Sequence, residues 1–581
     1  MRAPSNRGFI ALLIFALSLF VFCRTLCPVV APRDSGELTT AAYALGVPHP
    51  PGYPLYTMLG KLFTLVPHGS IAWRVNLLSA VCGAATASLT FLLISGLTQS
   101  LLAGAVAALL LAFSPLFWWQ AVVAEVFQLN LLFTVSTVSL IVWWAKTKER
   151  KQLLIFAFSY GLSLAHHHTT LLLAPGFLYY IWANDRALFR QGKTLLACAS
   201  VFALGLLPYA YLPLRSLADP YLDWGNPQTL NNFFRVVTRA QFGALKLDPS
   251  LPNAAFSLPL LLAQTRIYLG WLFDGFLYLG GLIGLYGGLA NYKADRRLFW
   301  FLLLLFVCTG PLFIFLSRYP LNNPYYYLYC STMLSRFMLP SLFIFSIWVG
   351  FGLTALLALV KGERNRFIIF LLLLASPCLS LSLHYSRADK SRFYFVDDLA
   401  RNILLSVKPH GLIICQTDNA LFSLWYLQGV EELRPDVTIV DGHSCSPETV
   451  TANLGRRPIY FDVSRSPRFR RFLAQLAPAG VIYELLPTAA PNGKLAALRS
   501  SRTLWARYLC RSPLEKADLT DYYQLEIINL YAEARNFSGI TYALTGRYAA
   551  AKQEFLRALT LLPDQQNALA NLDKLAKIFG R

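Results

Sequence analysis

Charge is scarce in this chain. Asp, Glu, Lys and Arg make up 14 % of its 581 residues, against roughly 25 % in ordinary soluble domains. Between Val75 and Ala124 none of the four occurs. A transmembrane helix takes about 20 apolar residues, so that stretch alone holds about two crossings. With 56 % hydrophobic residues, this scarcity excludes an ordinary soluble enzyme and a disordered chain. Metal-type cysteine spacing is lacking too. The ten cysteines are scattered, with no CxxC pair and no Cys/His cluster. That argues against structural zinc and a disulfide-rich module, and leaves pairing among Cys415, Cys445 and Cys510 open. No small-x-small cleavage site follows the apolar run Gly8 to Cys23, so an uncleaved first span is expected.

What is present is a polytopic α-helical membrane protein. Hydrophobic runs fall near 8–23, 71–97, 101–114, 120–145, 152–165, 169–182, 194–213, 258–290, 298–317, 337–360 and 367–384. The run 258–290 contains Arg266 and Asp274, which divides it into an interfacial helix over 258–273 and a crossing over 275–290. About eleven spans result. With the N-terminus in the cytoplasm, the inner loops carry 15 Lys and Arg in 40 residues and the outer loops 9 in about 120. This is the expected positive-inside asymmetry. It also accounts for the net charge of +21 through cytoplasmic loops and anionic headgroups, without a nucleic-acid partner. The C-terminal part then lies outside the cytoplasm. The outer loops are long and the inner ones short, which points to work at the outer face.

Three regions are expected: a transmembrane domain over 1–384, an extracytoplasmic α/β domain over 385–515, and a helical segment over 520–581. Gly411–Cys415, Val437–Val440 and Pro458–Val463 read as strands and Ala420–Leu427 as a helix. In the last region Gly539, Tyr542, Gly546, Tyr548, Ala551, Phe555, Ala558 and Pro563 fit one register of a tetratricopeptide repeat. Arg535 and Ser538 depart from it, and an ordinary helical hairpin remains the other reading.

Candidate chemistry concentrates in the outer loops. Asp34 and Glu37 are three apart, on one face of a helix if one starts here. They read as a catalytic pair, as a capping box with Asp34 at N-cap and Glu37 at N3, or as both. His49-Pro50-Pro51-Gly52-Tyr53-Pro54 is a stiff aromatic loop suited to a sugar or lipid phosphate, or a plain loop. Glu125 interrupts an apolar stretch, where a carboxylate is a functional candidate or pairs structurally with another span. His166, His167 and His168 are consecutive; helical side chains turn about 100° per residue, so a regular helix cannot aim all three at one metal. Arg215, Arg318 and Arg336 sit on the disfavoured outer side, as anchors or as phosphate ligands.

Asp34-Ser35-Gly36-Glu37-Leu38 with His49-Pro50-Pro51-Gly52-Tyr53-Pro54-Leu55 resembles a bacterial family of multi-span proteins. Its animal relative is an endoplasmic-reticulum O-mannosyltransferase acting on plexin and receptor-kinase IPT domains. Ala124-Glu125-Val126-Phe127, Arg336-Phe337-Met338-Leu339-Pro340, Thr417-Asp418-Asn419, Leu424-Trp425-Tyr426-Leu427-Gln428 and Arg434-Pro435-Asp436-Val437 extend the likeness over about residues 8–441. The resemblance implies a GT-C glycosyltransferase fold, a polyprenyl-phosphate sugar donor and inversion at the sugar carbon. It puts Asp34 at the position of the catalytic acid of the first outer loop and Glu37 at a second motif carboxylate.

The expectation is transfer of mannose or another hexose to an extracytoplasmic acceptor, Ser/Thr hydroxyls of protein or a glycan, at a bacterial inner membrane. Asp34 would act as general base with Glu37 beside it. Arg336, Arg215, His166 and His167 would face the donor phosphate, and His49, Tyr53 and Glu125 the substrate. No metal ligand set stands out, and a divalent cation is left open as a cofactor. Modification of a polysaccharide or lipid glycan, a transporter, and an assembly scaffold are the rival readings.

Overall fold

The computed structural model describes residues 4–243, 255–319, 321 and 324–579; the outer loop expected over 214–257 thus lies partly outside the described residues. Two compact units emerge. The first comprises Met1–Cys27, Ala41–Gly69 and Trp73–Ser391, and the second Pro28–Thr40, Ser70–Ala72 and Arg392–Arg581.

The first unit is a body of apolar helices. Among the described residues seven are long and apolar enough to cross a membrane: Asn6–Arg24, Ile71–Thr98, Phe127–Thr147, Gly192–Ser216, Arg296–Ser317, Tyr327–Leu359 and Glu363–Ala388. Two further pairs qualify only as bent spans, Leu101–Ala112 with Pro115–Ala121 at 67°, and Leu258–Gly275 with Leu279–Ala294 at 98°. The second break falls just after Asp274, close to the division expected between 273 and 275, while Arg266 lies inside the first helix. The runs at 152–165 and 169–182 form shorter elements: a helix Arg150–His166, a 3-10 turn His168–Leu173 and a helix Ala174–Asn184.

Small residues let these helices approach closely. A Cβ on Gly287 would collide with the Trp348 carbonyl, and one on Gly352 with the Ile283 carbonyl. The helices Leu279–Ala294 and Leu339–Leu359 therefore touch backbone to backbone at glycines, as membrane helices do where no hydrophobic effect drives them together.

The second unit is built on a five-stranded sheet of order β2-β1-β3-β5-β4. β1 (Leu412–Cys415) runs parallel to β2 (Thr438–Asp441) and β3 (Ile459–Phe461), while β4 (Leu476–Ala479) and β5 (Ile482–Leu485) pair antiparallel. β1 is wholly buried. Pro478 in β4 lies on an edge strand, where a missing donor is tolerated. Two buried aspartates open the helix Phe395–Ser406, and both are paired. Arg511 Nε reaches Asp398 at 2.6 Å and Arg401 Nε reaches Asp397 at 2.7 Å.

The segments expected as separate regions over 385–515 and 520–581 fall in one unit, because the helix Tyr522–Leu544 packs on the sheet and on the helices before it. Its partners Tyr548–Leu561 and Gln566–Phe579 enclose a small core of Ala551, Phe555 and Leu575. Arg535, out of register with the repeat pattern, lies 3.6 Å from the Trp505 ring centroid and 3.1 Å from Glu554.

The glycine contact is testable. Gly287→Ala should lower the thermal midpoint of the detergent-purified protein by several degrees, whereas Gly288→Ala, whose Cβ would meet nothing nearer than 3.9 Å, should leave it within error. Equal midpoints would show that the helix pair tolerates separation.

Candidate functional site

The acidic loop belongs to the second unit. A helix runs Ser35–Ala44, with Asp34 immediately before it and Glu37 in its first turn. The Asp34 carbonyl accepts the first helical bond, from Leu38 N at 2.8 Å, so Asp34 stands at the N-cap position. Glu37 is fully buried and Asp34 partly exposed.

The preceding residue, Arg33, anchors the loop. Its backbone is left-handed (φ 64°), a conformation that needs support in a non-glycine residue. Its guanidinium contacts Asp418 Oδ2 at 2.9 Å, the Tyr522 hydroxyl at 2.9 Å and Glu526 at 3.2 Å. Its backbone N–H donates to Asn419 Oδ1 at 2.8 Å, and Asn419 in turn donates to Glu526 at 2.7 Å. Burial raises the Glu526 carboxyl pKa, and Arg33 opposes that rise. A Cβ on Gly36 would lie 2.5 Å from the Phe422 carbonyl, so glycine is required where this loop meets the helix Asp418–Gly429. Asp462 holds the turn before that helix by accepting from Gln416 N, Thr417 N and the Thr417 hydroxyl. Burial pushes its pKa up to about 6 against those bonds.

The first unit assembles most of the other candidates. The expected span over 120–145 is broken: one helix ends at Ala121 and the next starts at Phe127. Glu125 lies in that break, not within a span helix, and is 5 % exposed. Arg336 Nη1 is 3.2 Å from Glu125 Oε1, and its guanidinium lies over Phe127 at 5.1 Å and Phe337 at 5.8 Å. The Val126 carbonyl accepts from His166 Nε2 at 2.9 Å. His167 packs its ring 5.6 Å from Phe127 and 5.9 Å from Tyr53, and His49 stacks edge-on between Tyr53 at 5.2 Å and Trp224 at 6.3 Å. Gly52 makes the tight turn before Tyr53 with φ 90°. Glu125, Arg336, His166, His167, His49 and Tyr53 thus form one continuous cluster.

The histidines diverge. His167 Nδ1 accepts from Thr169 N, which leaves the proton on Nε2, and Asn130 donates to the same threonine's hydroxyl. His168 Nε2 is 2.9 Å from the Tyr209 hydroxyl. Three rings meet three different partners, and among the described residues no group of three His, Cys, Asp or Glu could hold a metal ion. Arg215 stands apart from the cluster's charged pair. Its guanidinium donates to the Leu45 carbonyl at 2.8 Å and the Ala44 carbonyl at 3.4 Å, capping the end of the Ser35–Ala44 helix. Arg318 lies over the Phe256 ring at 4.8 Å.

Sequence reading missed Arg33, Glu526, Trp224 and Thr169 as site-building residues. A left-handed arginine next to an acid has no local signal. The Thr417-Asp418-Asn419 motif was visible, but its partner was not.

A buried charged pair ringed by aromatics and histidines thus sits in a body of apolar helices. The fold is similar to that of ArnT from Cupriavidus metallidurans, solved bound to undecaprenyl phosphate, with TM-score 0.52 and 12 % identity over 84 % of this chain and 99 % of that one. The relation by sequence is to the TMEM260 O-mannosyltransferases. Residues 34–188 match the family described as "Protein O-mannosyl-transferase TMEM260 N-terminal domain" and residues 396–444 the "TMEM260-associated domain 2". The mouse Protein O-mannosyl-transferase TMEM260 is 32 % identical over 476 residues, 78 % of this chain and 65 % of the mouse protein. The Dictyostelium discoideum Protein O-mannosyl-transferase tmem260 is 26 % identical over 502 residues, 79 % of this chain and 59 % of its own. The chain thus spans about three-fifths to two-thirds of the length of these relatives.

Removing one member of a buried ion pair costs about 3–5 kcal/mol. Arg336→Ala and Glu125→Ala should each destabilise the purified protein, and the double variant should melt well above the sum of the two losses. Strictly additive midpoints would show that the two side chains do not act as a pair.

Proposed function

We propose that this protein is a glycosyltransferase that moves a hexose, mannose in the first instance, from a polyprenyl phosphate to protein Ser or Thr hydroxyls at the outer face of a bacterial inner membrane. The observation that carries the reading is the buried Glu125–Arg336 pair in an apolar helical body, with His166 bonded to the adjoining Val126 carbonyl and His167, Tyr53 and His49 packed in turn beyond it. The TMEM260 relatives are named for O-mannosyl transfer and the ArnT structure holds undecaprenyl phosphate, which supports a lipid-borne sugar here. The proposed topology has about eleven crossings, with the N-terminus inside and residues 385–581 outside.

In the reaction the acceptor oxygen attacks the sugar carbon while the bond from that carbon to the phosphate oxygen breaks. The leaving polyprenyl phosphate takes the electron pair, and the hydroxyl proton passes to Asp34. A positioned base contributes about 10²–10⁴-fold. Arg336 supplies the positive charge that growing negative charge on a phosphate demands, and Glu125 and the aromatic residues of its cluster hold sugar hydroxyls and exclude water. Arg215 caps a helix in this scheme and leaves the phosphate to Arg336. The second unit presents the acceptor.

Asp34→Asn should abolish mannosylated product in envelope proteins, read by mass spectrometry against a deletion strain, with expression and melting unchanged; wild-type turnover in the purified variant would remove Asp34 as the base. Arg336→Lys keeps a charge but loses the planar fork, and should lower kcat about tenfold or more. Unaltered kinetics would assign Arg336 to packing.

A further inference from the structure

The break between the helices Leu258–Gly275 and Leu279–Ala294 opens a cavity of about 410 Å³ that the proposed reaction does not use. Arg266, Trp271, Asp274, Tyr278, Tyr327 and Arg387 line it. Its charges do not balance. Asp274 is already engaged by Arg387 at 3.0 Å, with His384 Nε2 3.9 Å away on its other oxygen. Arg266 makes no hydrogen bond or ion pair among the described residues; it is exposed on the same face of a mostly apolar helix as the exposed Leu262 and Leu269. An ionised side chain in that setting is costly and signals a partner or a site.

The ring-bearing walls fit the depth at which such a cavity would lie, since tryptophan and tyrosine favour the headgroup level. Tyr278, with a left-handed φ of 54°, projects from the bend itself and is 64 % exposed. Beyond it Leu279, Leu282, Leu285 and Leu289 continue an exposed apolar surface. A molecule that filled this cavity with an anion would have apolar protein surface beside it for a chain.

We propose that the cavity binds the phosphate headgroup of a membrane lipid, with Arg266 as its principal cationic contact, Arg387 as a secondary one shared with Asp274, and the Leu279–Ala294 helix lying along the tail. Arginine matches phosphate oxygens with two parallel donors. The tail along the leucines favours a lipid over a free phosphate. The site is separate from the Glu125–Arg336 cluster and does not depend on which reaction occurs there.

Native mass spectrometry of the full-length protein in detergent tests this, with phosphatidylglycerol, undecaprenyl phosphate and inorganic phosphate as probes. The wild type should retain a phosphate lipid, and Arg266→Gln should retain it at least fivefold less while melting normally. Arg387→Gln should lose less. Leu282→Gln with Leu285→Gln should weaken the lipid but not inorganic phosphate. If Arg266→Gln and wild type hold equal lipid, the site is disproved. If inorganic phosphate at millimolar concentration displaces all lipid and binds as tightly, the lipid assignment is disproved. Preference between the two lipids identifies the headgroup, and loss of transfer in Asp34→Asn with lipid retention intact separates this site from the proposed chemistry.

Discussion

A chain with so few charges buries most of them as neutralised pairs, because leaving one ion unpaired in an apolar interior costs several kcal/mol. The same solution recurs along this chain: an arginine fork closed on a carboxylate. Arg33 closes on Asp418 and Glu526, Arg336 on Glu125, Arg387 on Asp274, and Arg511 on Asp398. Each pair ties together segments far apart in sequence, from about 110 to nearly 500 residues. Each also fixes the direction of a loop or helix end, which lysine, a point charge on a flexible stem, would fix less well. Arg266 has no carboxylate among the described residues; Arg215 and Arg318 close on none there either, but Arg215 donates to backbone carbonyls and Arg318 lies over a ring.

The long apolar runs were plain in the sequence, since each writes itself as an uninterrupted stretch. The break after Asp274 was legible because the apolar run 258–290 is too long for one span; Arg266 and Asp274 both lie on its first helix, and the bend follows them. The break at 122–126 was not. Nothing in Val122-Val123-Ala124 signals a helix end; the chain leaves the helix there because tertiary bonds take its freed carbonyls. Val122 accepts from Cys27, and Val126 from His166. Glu125 was therefore placed one kind of environment away from its true one, in irregular backbone instead of on a helix face.

The strands at β1, β2 and β3 were recognisable as short apolar blocks between turn residues. β4 and β5 were not, because Pro478 and Gly480 read as loop. Their proline is compatible with a strand only at an edge, and edge position is a property of topology that no local window contains. For the candidate residues Asp34, His49, Tyr53, Glu125 and Arg336 the sequence showed residue type and neighbouring motif. Their partners were not, since pairing across hundreds of residues leaves no trace in one sequence.

Arg33 shows why this matters for function. Read along the chain, the acidic loop looks like an appendage of the transmembrane part, and residues beyond 385 like an added module. In three dimensions the loop 28–40 is held by the far C-terminal residues: Asp418 and Asn419 at one helix start, Tyr522 and Glu526 on another. The left-handed turn at Arg33 that aims Asp34 into its helix persists only while those contacts do. Asp462 lies one step further back, fixing the turn that carries Asp418. In the reaction proposed above Asp34 is the base, and a base must be placed to within a fraction of an ångström of its proton, so whatever orients Arg33 would serve that reaction as well as the fold. The C-terminal region is thereby a structural requirement for the position of the carboxylate, in addition to any part it plays in presenting an acceptor.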